Sequence, residues 1–232
     1  MFGWLKREPK QLAEQRQLLL PVIADYPLYQ PPHRQGPNFL RRTLDQSEEA
    51  YLKTIPEFVA RADENFAYFM EQRASRVASL KLFLAKLGVS ADFDDAGLAS
   101  LSHWFPQNSF ALVPSLRDWT VGQMFYQMKT PWIGELRGLN VIFDLGIFLG
   151  ECLTTRQPRL HWRRYTGSSD TGEAYGTGYA IEGFKRHAKS NQFDPSERIF
   201  LLCKNDLNAI HSGQPVTLPN ALSGIVRGYS MR

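Results

Sequence analysis

Residues 136–155 read LRGLNVIFDLGIFLGECLTT, and the reading of this stretch decides the fold. It is the most apolar segment of the chain and about as long as a membrane span, but Asn140, Asp144 and Glu151 interrupt it. Two carboxylates in hydrocarbon are costly unless they are paired. The stretch therefore predicts the central buried helix of a soluble domain, with Pro158 just beyond its end. Asp144 and Glu151 stand seven residues apart, two helical turns, which brings both carboxylates to nearly one face. Gly146 and Gly150, four apart, leave a flat strip that another segment can approach closely.

The rest of the composition agrees with a folded domain around that helix. The chain has 232 residues, 43% hydrophobic and 22% charged, enough apolar material for a sizeable core and incompatible with a collagenous or wholly disordered chain. The formal charge of +4 is low for a dedicated nucleic-acid binder. Charge is uneven along the sequence: residues 91–155 carry 3 basic and 7 acidic groups, and residues 156–232 carry 11 and 6. Such asymmetry can steer a charged partner. Only Cys152 and Cys203 are present, too few for a disulfide framework, and residues 1–10 (MFGWLKREPK) lack the apolar run of a signal peptide. Both readings lead to the expectation of a cytoplasmic location.

Upstream of the central helix, residues 11–20 predict a short helix ended by Pro21. Residues 26–37 (YPLYQPPHRQGP) hold four prolines, which remove amide donors and favour extended geometry, so residues 1–45 read as an N-terminal arm and Pro-rich linker and 46–232 as a single domain. A helix starts near Gln46 with Ser47, Glu48 and Glu49 in its first turn, and Pro56 is expected to kink or restart it. Beyond that proline Phe58, Ala62, Phe66, Phe69, Met70, Val77, Leu80, Leu84 and Leu87 recur at helical spacing up to Gly88. Residues 92–95 predict the cap of a helix that carries Leu98, Leu101 and Trp104 and stops before Pro106, and residues 116–128 predict another, ended by Pro131.

Downstream the pattern changes. Residues 160–166 (LHWRRYT) alternate as a strand does, and residues 175–184 (YGTGYAIEGF) read as a second strand, with a Gly-, Ser- and Asp-rich loop between them. Asp194-Pro195-Ser196-Glu197 combines an N-cap acid, proline at the first helical position and Glu at the third, so a helix should run to His211 and end at Ser212-Gly213. Residues 216–218 and 225–229 are expected to complete a small sheet. The fold class is α+β, mainly helical, with a small antiparallel sheet in the C-terminal third.

Candidate chemistry is sparse. Asp144 and Glu151 could divide acid and base roles in a hydrolase or transferase, or share a metal; about ten ångströms along a helix is at or beyond the range a glycosidase uses, and the Glu-x-x-His of a diiron helix is absent. Alternatively, each acid is bonded to backbone or to an arginine inside the fold. Cys152 and Cys203 sit in apolar runs, where cysteine behaves as a small hydrophobe, and the five histidines show no nucleophile or zinc spacing with them. The glycines of residues 172–183 lack the strand-to-helix context of a dinucleotide fingerprint. No cofactor and no metal is implied.

Arg156, Arg159, His161, Arg163 and Arg164 lie within nine residues and are mixed with Trp162 and Tyr165. This composition suits a protein interface, contacts to phosphates and bases, or a solvated strand face with one arginine turned inward to neutralise Asp144 or Glu151. A protein partner bound through Arg159, Trp162, Arg163 and Arg164 is the reading adopted; nucleic acid is disfavoured by the low net charge.

Residues 145–162 (LGIFLGECLTTRQPRLHW) resemble an element of uncharacterised bacterial domain families, an apolar helix with Leu-Gly-Glu followed by a proline loop and a tryptophan strand. Leu149, Gly150, Glu151, Pro158 and Trp162 carry the likeness. Some such domains are immunity proteins of bacterial toxin systems, so the resemblance implies a non-enzymatic binding protein whose partner is a toxin. Gly146, Gly150 and Glu151 are expected to be structural, with Trp162 covering the glycine strip.

Overall fold

The computed structural model describes residues 8–33, 47–114, 118–164, 168–169, 172–173, 178–184 and 192–230. The central helix is α5 (Gly138–Arg156), preceded by a single 3-10 turn at Gly134–Arg137. From Gly138 to Gly150 every residue is buried, as expected of a helix surrounded on all sides. Around it pack α2 (Glu48–Lys86), α6 (Pro195–Ser212) and α7 (Ala221–Ser230). Helix α1 (Lys10–Ile23) and α3 (Asp95–Asn108) close the bundle through the 3-10 turn Ser109–Leu112, and α4 (Asp118–Tyr126) adds Phe125 to the stack of Trp132 and Phe200.

Most helix ends follow their sequence signals. Ser47 caps α2 by accepting from the Ala50 amide at 3.2 Å, and Gly88, at φ 74°, follows its last turn. Asp194 caps α6 by accepting from the amides of Ser196 and Glu197, both at 2.9 Å, and Gly213 closes it in the left-handed region. The prolines are the exception. Pro21 lies inside α1, Pro56 inside a continuous α2 and Pro106 inside α3, so none of them ends or restarts its helix. A proline forfeits one backbone hydrogen bond; buried neighbours such as Leu19 and Ile23 around Pro21 and Phe105 beside Pro106 offset that loss, whereas Pro56 is exposed and none of residues 53–61 is buried.

The sheet occupies the C-terminal third, as the alternation predicts. Strands β1 (His161–Arg164), β4 (Tyr179–Glu182) and β5 (Gln192–Phe193) form an antiparallel sheet in the order β1-β4-β5, while β2 (Ser168–Ser169) and β3 (Gly172–Glu173) pair separately. Trp162 stands opposite Ile181 and Arg164 opposite Tyr179. The third strand is thus β5, not residues 216–218 or 225–229. Residues 225–229 belong to α7, whose Leu222 and Val226 are buried and whose Ile225 and Tyr229 pack against the core.

The N-terminal segment joins the same core. Leu12, Leu19, Ile23, Tyr26 and Tyr29 are all buried in it. An extended, proline-containing chain cannot satisfy its own backbone groups, and side chains of the bundle do so instead. Arg76 donates to the Pro27 carbonyl at 3.0 Å, Asn140 accepts from the Tyr29 amide at 2.8 Å, and Asn65 bonds both the amide and the carbonyl of His33. Residues 34–37 of the proline-rich stretch lie outside the described residues.

Candidate functional site

Asn140, Asp144 and Glu151 fall at positions 0, 4 and 11 of one register, a single line along α5. That line faces α2 and the N-terminal segment. Asn140 uses its amide nitrogen as well, donating to the carbonyls of Trp132 at 2.9 Å and Arg137 at 3.0 Å.

Asp144 is fully buried. Its Oδ1 accepts from Arg76 Nε at 2.9 Å, its Oδ2 lies 2.8 Å from Arg76 Nη2, and the Tyr26 hydroxyl donates to Oδ2 at 2.6 Å. Burial pushes its carboxyl up to about 6, against the lowering pull of Arg76 and Tyr26. Burial, reinforced by the neighbouring carboxylate, also raises the Tyr26 phenol well above its ordinary value. Three residues further along the segment the Tyr29 and Tyr179 hydroxyls meet at 2.9 Å, and Tyr179 in turn donates to the Asn65 carbonyl at 3.3 Å.

Glu151 is partly buried, and its Oε1 accepts from two segments at once: Arg73 Nη1 at 2.6 Å and Trp162 Nε1 at 2.7 Å. The expected arginine is present, but it comes from α2 and not from the strand that follows. Gly150 lies under Trp162, where a Cβ would stand 2.1 Å from Cζ2 of the ring. At Gly146 a Cβ would stand 2.4 Å from the Ser196 Cα, so the start of α6 uses the other glycine. The two glycines thus admit two different segments.

This geometry bears on the carboxylate pair. Each acid is engaged by protein donors, and Asp144 has no exposed surface. The two join α2, the N-terminal segment and β1 to the central helix and do not share an open cleft. The Cys152 thiol is likewise buried, and desolvation pushes it up to about 12; burial also raises the Cys203 thiol well above its usual range. Among the described residues no group of three His, Cys, Asp or Glu is placed to hold a metal ion.

The arginine-rich segment divides between the two faces of β1. Trp162 is a core residue, in edge contact with the Phe69 ring at 5.0 Å, so it cannot serve as the exposed anchor that the sequence suggests. Arg164 points the same way and pairs with Asp63 of α2 at 2.9 Å. Arg163 points outward, its side chain 54% exposed, and pairs with Glu182 of the adjacent strand at 3.0 Å. His161 is exposed beside it. Arg159 is half-buried and pairs with no acid among the described residues, while Arg156 is held by Asp95 and the Phe93 carbonyl. Tyr165 lies outside the described residues.

Sequence reasoning missed Arg73, Arg76, Tyr26 and Tyr29 as partners of this line. The arginines do carry a signal: at positions 73 and 76 they fall on the face marked by Phe69, Val77 and Leu80, where a charge has to be matched inside the fold. Comparison with known protein families, curated sequences and solved structures finds no match. Among the described residues no helix is long and apolar enough to cross a membrane.

Proposed function

We propose that the protein is a binding protein without chemistry of its own, and that it recognises an acidic surface of another protein through His161 and Arg163 on the outer face of β1 together with Arg159 in the turn before it. The observation that carries this reading is the alternation along β1. Leu160 and Trp162 turn into the core, and within β1 His161 and Arg163 stand on the outer face of an edge strand, with the half-buried Arg159 in the turn just before it. Arginine supplies charge and planar hydrogen-bonding in one side chain, and an edge strand can be extended by a partner. Arg159, with no acid of its own among the described residues, has its charge left to offer. The internal use of Asp144 and Glu151 also favours binding over catalysis by that pair. Within this reading an immunity protein that neutralises a toxin in the cytoplasm is the form we favour, because of the likeness carried by Leu149, Gly150, Glu151, Pro158 and Trp162.

The test is affinity capture from the source cell with the wild-type chain and with the double variant Arg159→Glu/Arg163→Glu, identification of the captured protein by mass spectrometry, and circular dichroism to verify the variant's fold. The wild type should retain a partner that the variant loses, more clearly at low salt. Co-expression should relieve the growth defect caused by that partner. A folded variant that holds the same partner with equal affinity overturns the surface; a partner that is harmless when expressed alone overturns the immunity function.

A further inference from the structure

The sheet β1-β4-β5 has two edges, and they differ. Strand β5 is two residues long, leads through Asp194 into Pro195 and stacks Phe193 on Tyr229 at 4.1 Å, so it offers little ladder to a further strand. Strand β1 is four residues long and pairs with β4 without a bulge, from His161 opposite Glu182 to Arg164 opposite Tyr179. It holds no proline and no lysine, and its one inward charge, Arg164, is matched by Asp63 at 2.9 Å. In an antiparallel ladder alternate residues turn their amide and carbonyl away from the neighbouring strand, so half of the backbone groups of β1 face the open edge. Among the described residues no strand lies along that side.

Arg163 specifies what kind of strand fits there. Its guanidinium gives Nη1 alone to Glu182, at 3.1 and 3.0 Å from the two carboxylate oxygens, and its Nε and Nη2 bond no other group among the described residues. Those two nitrogens form the side-on fork that receives a carboxylate through two parallel hydrogen bonds. On a strand added along β1, the residue opposite Arg163 projects from the same outer face, with its Cβ about 5 Å away. The residue two positions along projects from that face too and meets His161, which is exposed. Adjacent acids cannot do this, because successive side chains alternate and one carboxylate would turn to the inner face, where Leu160 and Trp162 are buried. The added strand would lie two strand spacings, about 10 Å, from β4, so Glu182 is largely screened from its acids.

We infer that the partner supplies an extended segment with acids at alternate positions, which pairs with β1 as a further strand of the sheet and sets its carboxylates on Arg163 and His161. The inference rests on the partner surface proposed above and names the form of what binds there. The probe is the synthetic peptide acetyl-Thr-Val-Glu-Val-Glu-Val-Thr-amide, titrated into the full chain and followed by NMR amide exchange. It should bind and slow exchange at alternate residues of β1 by about tenfold or more. The isomer with its two glutamates adjacent should bind about tenfold more weakly, as should the Arg163→Gln chain, whose fold circular dichroism verifies. Of two peptides N-methylated at alternate amides in the two possible registers, one should lose binding, because only one set of amides faces β1. No binding at about 1 mM, equal affinity for the isomer, or β1 amides that exchange as fast in the complex as before would each overturn the inference. The partner captured from cells tests the wider reading separately. Capture that Arg159→Glu/Arg163→Glu leaves unchanged overturns the surface and the strand together; capture that the variant loses, with β1 amides unprotected in the wild-type complex, overturns the strand alone.

Discussion

The ring of Trp162 occupies the space that any side chain at position 150 would need: a Cβ on Gly150 would lie 2.1 Å from Cζ2 and 2.5 Å from Cη2. The tryptophan is wedged between Phe69 of α2 and the backbone of α5 and has no free side toward which to retreat. Gly150→Ala should therefore destabilise the fold by about 1 to 3 kcal/mol through overpacking, although alanine is the better helix former. Gly224→Ala serves as the control. Its Cβ meets nothing within 4 Å, and the substitution should be neutral or should stabilise by about 0.5 to 1 kcal/mol. Thermal melts of the two variants decide the matter, and equal melting temperatures would refute the role given to Gly150.

Glu151 tests the neighbouring polar contact. One carboxylate oxygen serves both Arg73 and Trp162, so Glu151→Gln keeps an acceptor for both donors and loses only the charge. Glu151→Ala strips the acceptor from both. The expected cost is about 1 kcal/mol for glutamine and about 3 kcal/mol for alanine. Urea denaturation should rank the three proteins in that order; identical midpoints would show that the contact is without energetic weight.

Asp144 predicts a dependence on pH. Its carboxyl is pushed up to about 6, whereas in an unfolded chain an aspartate titrates at about 3.9. Between about pH 4 and 6 the folded protein keeps a proton that the unfolded chain has lost, so stability falls as pH rises. The contribution is complete below the lower value and is gone once pH has passed the upper one. Wild type measured against Asp144→Asn, which cannot titrate, should lose about 2 to 3 kcal/mol of relative stability across that window. A flat difference would contradict the assignment.

Local signals in the sequence account for the helices and for the inward alternation of β1. The caps at Ser47 and Asp194 and the glycines at 88 and 213 mark their ends because each satisfies backbone groups within a few residues. Pro21 and Pro106 mislead for the converse reason: what keeps their helices intact is packing contributed by distant residues. Residues 222–229 show the apolar spacing of 3, 1 and 3 that marks a helix, and reading only 225–229 hides it. The candidate site is the least legible part. That Glu151 needs a cation follows from its place in an apolar helix, but that Arg73, 78 residues away, supplies it depends on how α2 lies across α5. The tyrosines at 26 and 29 sit among prolines that suggest a tether, yet they are buried because Asp144 and Asn140 give their polar groups partners.

A helix as uniformly apolar as α5 presents nearly the same greasy surface in every direction, so turning it about its axis by a third of a revolution would change the buried apolar area very little. Hydrophobic burial is therefore almost indifferent to its angular setting. The polar line of Asn140, Asp144 and Glu151 removes that degeneracy, because any other setting leaves a carboxylate in hydrocarbon and two arginines without a counter-charge. These three side chains index the rotation of the central helix, and through it the placement of every segment that docks on it.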